Sequence, residues 1–421
     1  MSDAMNETDI SHLFLALVSL LIAALGMGFV FERLRMPRVI GEIVGGLVLG
    51  PSIMGVLQPE IFAWLFASTS GQTRALEALY WVGLVLLMFT SGFHIQRDLS
   101  QDDRRMIWIV LIAATVPPFL LGYYASTVFD LAHHVGPAAN DPAFRLVMGI
   151  ATAVTSIPVI SKIFLDLKIM ETQFARIVLG CATLHDLILW IALAMATGMV
   201  ANGATGSADP WLLARTIVVS LLFLGLALWL GPKVLAVISR HRLNLISRSS
   251  PTGYTLAICL VFAALASGLG VNIIFGALIA GIAVGAIKDA GFDDVKARIS
   301  DVALGFFVPI YFALLGLKID LPGFFDPVLT IGFIVLTTTA QMGSVFIAMR
   351  IAGKDALVSF NLGIAMNTRG GPGIVLASVA HGWGIIGEAM FVTLVLAAIL
   401  TSLASGAWFR FLLGRGLPLY R

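Results

Sequence analysis

"NTRGGPGIV", residues 367–375, lies inside an apolar run that extends from residue 356 to 380. Proline removes a backbone donor and disrupts the turn before it. Gly370 and Gly371 ahead of Pro372, with Gly373 behind it, make an uninterrupted helix at this point very hard to build. The run is nevertheless long enough to cross a hydrocarbon core of ~30 Å. Non-helical backbone at that depth is tolerated only where protein buries it or a cavity receives it. The stretch therefore predicts a broken helix in mid-membrane, with Arg369 at the break.

A second stretch breaks the pattern in the same way. "ATAVTSIPVIS", residues 151–161, sits within the apolar run 144–165 and carries Thr152, Thr155, Ser156 and Pro158. Around these two segments the chain is apolar throughout. Of 421 residues, 59% are hydrophobic and 12% charged, and the mean hydropathy is +0.97. A soluble domain carries about 25% charged residues. The composition thus predicts an all-α polytopic membrane protein without a sizeable soluble domain.

About thirteen spans are read from the apolar runs: 10–31, 39–57, 75–93, 106–128, 144–165, 174–199, 211–235, 252–268, 271–287, 299–317, 327–349, 356–380 and 386–412. Of the 26 basic residues, 21 fall in loops that follow odd-numbered spans or in the span ends beside those loops. Only Arg74, Arg145, Arg215 and Lys318 fall in or beside loops that follow even-numbered ones, and Arg369 lies deep inside a span. This alternation predicts an external N-terminus and a cytoplasmic C-terminus. No basic segment precedes the first run, so no cleavable signal peptide is expected. Cys181 and Cys259 both fall in apolar runs and read as core thiols. The histidines show no metal-binding spacing, and no nucleophile–base pair appears. An enzyme, a cofactor and a nucleic-acid partner are therefore not expected.

Each broken run is the middle member of a triplet, spans 4–6 and spans 11–13. The offset of seven gives the triplets opposite orientations. Paired interruptions in oppositely oriented halves point to a transporter site at an inverted-repeat interface. Two proline kinks in packed helices are the simpler alternative. Half-helix ends have a physical use: free carbonyls can coordinate a cation, and N-termini carry partial positive charge. Arg369 and a carboxylate could offset the repulsion between like dipole ends brought together where the helices cross.

A carboxylate is available. "GCATLHDLILWIAL", residues 180–193, places His185 and Asp186 side by side in the run from Phe174 to Met199. An acid at mid-span costs ~2.5–3.5 kcal/mol on insertion scales and is retained where it functions.

Several segments carry a family resemblance. "PRVIGEIVGGLVLGPSIMG" (37–55), "VGLVLLMFTSGFHI" (82–95), "IIFGALIAGIAVG" (273–285), "VPIYFALLGLKIDL" (308–321) and "GIAMNTRGGPGIVLASVA" (363–380) resemble the monovalent cation:proton antiporter-2 family. That family includes bacterial Na⁺/H⁺ and K⁺/H⁺ antiporters and plant cation/proton exchangers. The resemblance covers nearly the whole chain. It implies a single antiporter unit, residues 1–421, with an inverted-repeat fold of about 13 transmembrane helices and two crossed discontinuous helices. It implies a homodimer, with a dimerisation part at about 10–93 and 252–317. An ion-transporting core at about 106–199 and 327–412 and a linker helix at about 211–235 complete the unit. The essential aspartate of the family is matched by Asp186, which implies that this carboxylate carries the ion.

Two departures from the family bear on stoichiometry. Electrogenic members carry Asp-Asp at this site, and here the first position is His185. They also carry a lysine in the eleventh span, where "TTAQMGSVFIAMR" (338–350) has Gln341. Losing only one of the two charges would strand the other in the membrane, so the double change is coherent. It favours electroneutral exchange. The chain stops soon after the last span, so no attached nucleotide-binding regulatory domain is expected.

The candidate site is therefore Asp186, His185, Thr155, Ser156 and Asn367, with Asp186 as the ligand of a monovalent cation and Arg369 as a structural charge at the crossing. Gln341 and Glu42 are secondary candidates. His185 could titrate, or it could serve as a neutral hydrogen-bond donor. Glu42 could line a cytoplasmic funnel or make a structural hydrogen bond. Trp190, on the face of Asp186, reads as packing. The expected function is exchange of Na⁺ or K⁺ for H⁺ across a bacterial inner membrane. A gated K⁺ efflux pathway and an organic-anion transporter on the same scaffold are the alternatives. The membrane lipid and a second copy are the expected partners.

Overall fold

The computed structural model describes residues 7–34, 36–66, 70–93, 101–129, 131–139, 141–203, 218–219, 222, 225–226, 229–231, 233–235, 245–269, 273–287 and 290–420. Some side chains within these helices, those of Asp186 and Trp190 among them, lie outside the description. Among the described residues every regular element is a helix, and a lone antiparallel bridge joins Val135 to Ile386. Eight helices among the described residues are long and apolar enough to cross a membrane. The run read as 211–235 falls mostly outside the described residues.

The contacts divide the chain into two compact units. One comprises residues 1–30, 41–95 and 210–321; the other comprises 31–40, 96–209 and 322–421. In the first unit, helices Ile273–Gly285 and Val308–Leu317, both almost wholly apolar, pack closely on Ser70–Phe93. Gly46 shows how close: a Cβ there would run into the backbone of Ala313. Small residues at such crossings permit the backbone approach that drives helix association in lipid. The run read as 39–57 is among these candidate spans, as Arg38–Leu57, but it is bent. It is one helix only from Arg38 to Leu49, and a turn precedes the short helix Met54–Leu57. Gly50 and Pro51 account for this, since neither favours continuation of the helix. A five-residue π-helical segment, Ala303–Phe307, joins Ala290–Val302 to Val308–Leu317.

The second unit repeats one order of elements. The long helix Gln101–Val128 precedes the half-helices Asp141–Ala153 and Ile157–Asp166, and then the long helix Gln173–Gly203. Later in the chain the long helix Pro327–Ile351 precedes Ala356–Met366 and Gly370–Gly382, and then Glu388–Gly414. Local chemistry sets the boundaries. Asp326 caps Pro327–Ile351 by accepting from the Leu329 N–H at 3.0 Å, and Pro327 sits at the first helical position, where its missing donor costs nothing. The first break falls at residues 154–156, just ahead of Pro158. The second falls at 367–369, just ahead of the glycine cluster. Gly370 has φ +32°, and a Cβ on it would collide with the Val159 and Ser156 side chains. Both the backbone and the space therefore require glycine there.

Candidate functional site

The two breaks are tied to each other. Ser156 N–H donates to the Thr368 carbonyl at 2.5 Å, and Thr155 Oγ1 donates to the Met366 carbonyl at 2.6 Å. Each exposed half-helix start also receives a serine. Ser156 Oγ accepts from Val159 N–H at 3.3 Å, and Ser402 Oγ accepts from Gly370 N–H at 3.0 Å. Ser405 Oγ accepts from Thr368 Oγ1 at 2.8 Å, and its own proton lies between the Thr401 carbonyl at 3.0 Å and the Ile364 carbonyl at 3.2 Å. Ser156 N–H, Val159 N–H, Gly370 N–H and the Met366 and Thr368 carbonyls are thus paired inside the protein, as a broken helix at membrane depth requires.

Thr155 is the hub. Its single hydroxyl proton goes to Met366, so its two further contacts must be accepted. These are Gln341 Nε2 at 3.2 Å and His185 Nδ1 at 3.1 Å. It follows that His185 carries its proton on Nδ1. His185 Nε2 is buried and has no hydrogen-bond partner among the described residues. In a neutral imidazole of this tautomer, that nitrogen presents a lone pair. Thr155 itself has no acceptor capacity left in this arrangement.

Arg369 is 2% exposed. Its Nη1 donates to Thr337 Oγ1 at 3.0 Å, and its Nη2 donates to the Thr152 carbonyl at 3.1 Å and Gln341 Oε1 at 3.0 Å. Gln341 Nε2 in turn donates to the Ala153 carbonyl at 2.6 Å. Arg369 and Gln341 therefore cap the C-terminal, electronegative end of the Asp141–Ala153 half-helix. Among the described side chains Arg369 is the one charged group in this network, and all three of its acceptors are neutral oxygens. The guanidinium fork suits this duty, because one rigid group reaches acceptors on two different elements.

The structure brings His185, Thr155, Gln341 and Arg369 into one hydrogen-bonded cluster, with Ser156 joined through the backbone tie between the breaks. Asn367 stands slightly apart. Its Nδ2 donates to Thr338 Oγ1 at 3.3 Å, and its Oδ1 has no partner among the described residues. Asp186 follows His185 in the Gln173–Gly203 helix, but its side chain lies outside the described residues. Glu42 is buried in the first unit and belongs to none of these contacts. Trp190 likewise lies outside the described side chains. Sequence reasoning missed Thr337, Ser402 and Ser405. Thr337 precedes Gln341 by one helical turn and so shares its face. The serines belong to a hydroxyl-rich stretch, Thr401 to Ser405, in an otherwise apolar span.

A family model described as "sodium/hydrogen exchanger, transmembrane" matches residues 17–415. The chain belongs to the sodium/hydrogen exchanger family. Within that family the chain is 28% identical to the Na⁺/H⁺ antiporter NhaS4 of Synechocystis, covering 94% of this chain and 96% of that protein. It is 24% identical to the Na⁺/H⁺-K⁺ antiporter GerN of Bacillus cereus, over 95% and 96% of the two chains. Cation/H⁺ antiporter 18 of Arabidopsis thaliana is 28% identical over 92% of this chain. This chain spans about half of that plant relative, 47% of its length. The solved sodium proton antiporter MjNhaP1 of Methanocaldococcus jannaschii shares the fold, with a TM-score of 0.64 at 16% identity over 96% of this chain and 97% of that one. This exchanger-family chain is thus a multi-pass membrane protein with an antiporter fold.

Proposed function

We propose that the chain is a secondary active antiporter that exchanges Na⁺ or K⁺ for H⁺ by alternating access, one ion for one proton, across a bacterial inner membrane. The observation that carries this reading is the cluster at the two breaks. It puts His185, the chain neighbour of Asp186, against paired half-helix ends in a fully buried polar site. Asp186 holds either a proton or a monovalent cation, and competition for that one carboxylate couples the two fluxes. Asn367 Oδ1 and His185 Nε2 supply acceptors to the entering cation. Thr155, whose lone pairs are already occupied, acts by holding His185 and Gln341 in place.

Charge counting supports one-for-one exchange. Gln341 occupies the position at which electrogenic relatives carry a lysine, and its amide bridges Arg369 to Thr155 without a charge of its own. Asp186 loaded with one proton or with one monovalent cation has the same net charge, so a membrane potential acts equally on both forms. Arg369 spends three of its five N–H donors on Thr337, Thr152 and Gln341.

The unit that holds the breaks carries the ion, and the other unit forms a homodimer contact. The basic ends of the spans face the cytoplasm. The test is proton flux in proteoliposomes under an imposed potassium–valinomycin potential, with Na⁺ as substrate. The proposal expects Na⁺-driven proton movement in a fixed ratio that the potential does not drive. A potential-driven pH change that needs Na⁺ and Asp186 makes the exchange electrogenic, and uncoupled Na⁺ flux makes the protein a channel.

A further inference from the structure

Beyond the ion site, the second unit carries an open groove of about 1170 Å³ between helices Gln101–Val128 and Pro327–Ile351. Pro117 and Leu121 line one end, Ala113, Ala340 and Gly343 the middle, and Arg105 the other end beside Ile351 and Ala352. From Arg105 to Leu121 the groove follows the helix for roughly 24 Å at ~1.5 Å per residue. That is more than one leaflet of a ~30 Å hydrocarbon core. Its lining is almost wholly apolar, and the Ser344 hydroxyl is turned to the Gln341 carbonyl at 3.1 Å. The surrounding face is apolar and open, with Ile112 57%, Ile347 59% and Ile351 82% exposed.

We propose that this groove binds an acyl chain of an anionic phospholipid, with the lipid phosphate at Arg105. Charge complementarity selects this occupant. Arg105 lines the groove's end, and Arg104, its chain neighbour, and Arg350, the chain neighbour of the lining residue Ile351, are exposed as it is. Asp103, two residues before Arg105, does not cancel them, because it is buried and held by Arg176 at 3.1 Å and by Gln173 at 3.1 Å. Clustered basic side chains at one membrane boundary attract anionic headgroups. An apolar slot that continues inward from that boundary offers the acyl chain close contact along its length. Besides Arg105, only Thr339 and Ser344 bring polar side chains to the lining, so it offers a water-soluble ligand little. Arg105 and its neighbours lie at a loop that follows an odd-numbered span, so the lipid comes from the cytoplasmic leaflet.

The structure supplies its own probes. A Cβ at Gly343 meets nothing within 4 Å and Gly343 lines the groove, so Gly343→Phe is the variant that should fill it. Gly332 lies three turns earlier on the same helix, is not part of the groove lining and is equally open, so Gly332→Phe is the control. The full-length protein is reconstituted in mixed phosphatidylcholine and phosphatidylglycerol, and retained lipid is counted by native mass spectrometry. The wild type and Gly332→Phe are expected to retain one phosphatidylglycerol per protomer, and Gly343→Phe to lose it. Arg105→Gln is expected to keep a lipid but to lower the preference for phosphatidylglycerol roughly fivefold. A photo-crosslinker at Ile347, which leaves the groove open, is expected to capture phosphatidylglycerol. Undiminished lipid in Gly343→Phe, an unchanged preference in Arg105→Gln, or capture of a second protein copy at Ile347 each overturns the proposal.

Discussion

Thr155→Val removes one oxygen and keeps the shape of the side chain, so it isolates the hub of the ion site. Thr155 Oγ1 makes three hydrogen bonds: it donates to Met366 O and accepts from His185 Nδ1 and Gln341 Nε2. After the change Gln341 keeps its bond to Ala153 O, whereas Met366 O and His185 Nδ1 are left buried without that partner. Each orphaned buried group costs ~1–3 kcal/mol, which gives ~2–6 kcal/mol in all. Hydrogen bonds measured within membrane proteins average ~0.6 kcal/mol, so three of them set a floor near ~2 kcal/mol. The assay is equilibrium unfolding of the reconstituted protein in mixed micelles, with Thr155→Ser as the matched control. Serine keeps the hydroxyl and should stay within ~1 kcal/mol of wild type, the small effect expected of removing a methyl. A valine variant as stable as wild type, or a serine variant as damaged as the valine one, refutes the hub.

Three further outcomes follow from the same geometry. Arg369→Lys keeps the charge but loses the fork that reaches Thr337, Thr152 and Gln341, and should slow exchange at least about tenfold, the kinetic equivalent of ~1.4 kcal/mol; unchanged turnover would show that charge alone suffices. Gly370→Ala must adopt φ +32° and push its Cβ into Val159 and Ser156, so unfolding should report a loss of ~1–3 kcal/mol; a neutral result contradicts the tight crossing. His185→Gln removes the titratable ring beside Asp186 and should move the pH profile of exchange while keeping maximal turnover; a variant inactive at every pH makes the Nδ1–H donor itself essential, and an unmoved profile makes the ring a spectator to protonation.

The breaks were legible because proline and glycine act locally. Pro158 places the first break at residues 154–156, and the glycines at 370 and 371 place the second at 367–369. Long-range partners were not legible in this way. Thr337, Ser402 and Ser405 sit in spans that read as apolar, and only the approach of the breaks to these helices shows what their hydroxyls do. Gln341 entered through the family resemblance, since a lone amide in an apolar span carries no signal of its own. The bend after Leu49 was missed because hydropathy runs on past it to Leu57, although Gly50 and Pro51 mark it. The roles of Thr155 and Ser156 also depend on three-dimensional information. Sequence spacing marked them as possible cation ligands, whereas the structure fills the lone pairs of Thr155 and turns Ser156 Oγ onto the Val159 N–H.

The central claim is that one carboxylate, Asp186, carries cation and proton in turn. It is tested most directly by Na⁺- or K⁺-driven proton flux through purified Asp186→Asn in proteoliposomes, beside wild type at equal protein density. Asparagine keeps the size of the side chain and binds neither ion as a carboxylate does. The account predicts a folded protein with no cation-driven proton flux at any pH. Retention of wild-type flux in that variant contradicts it.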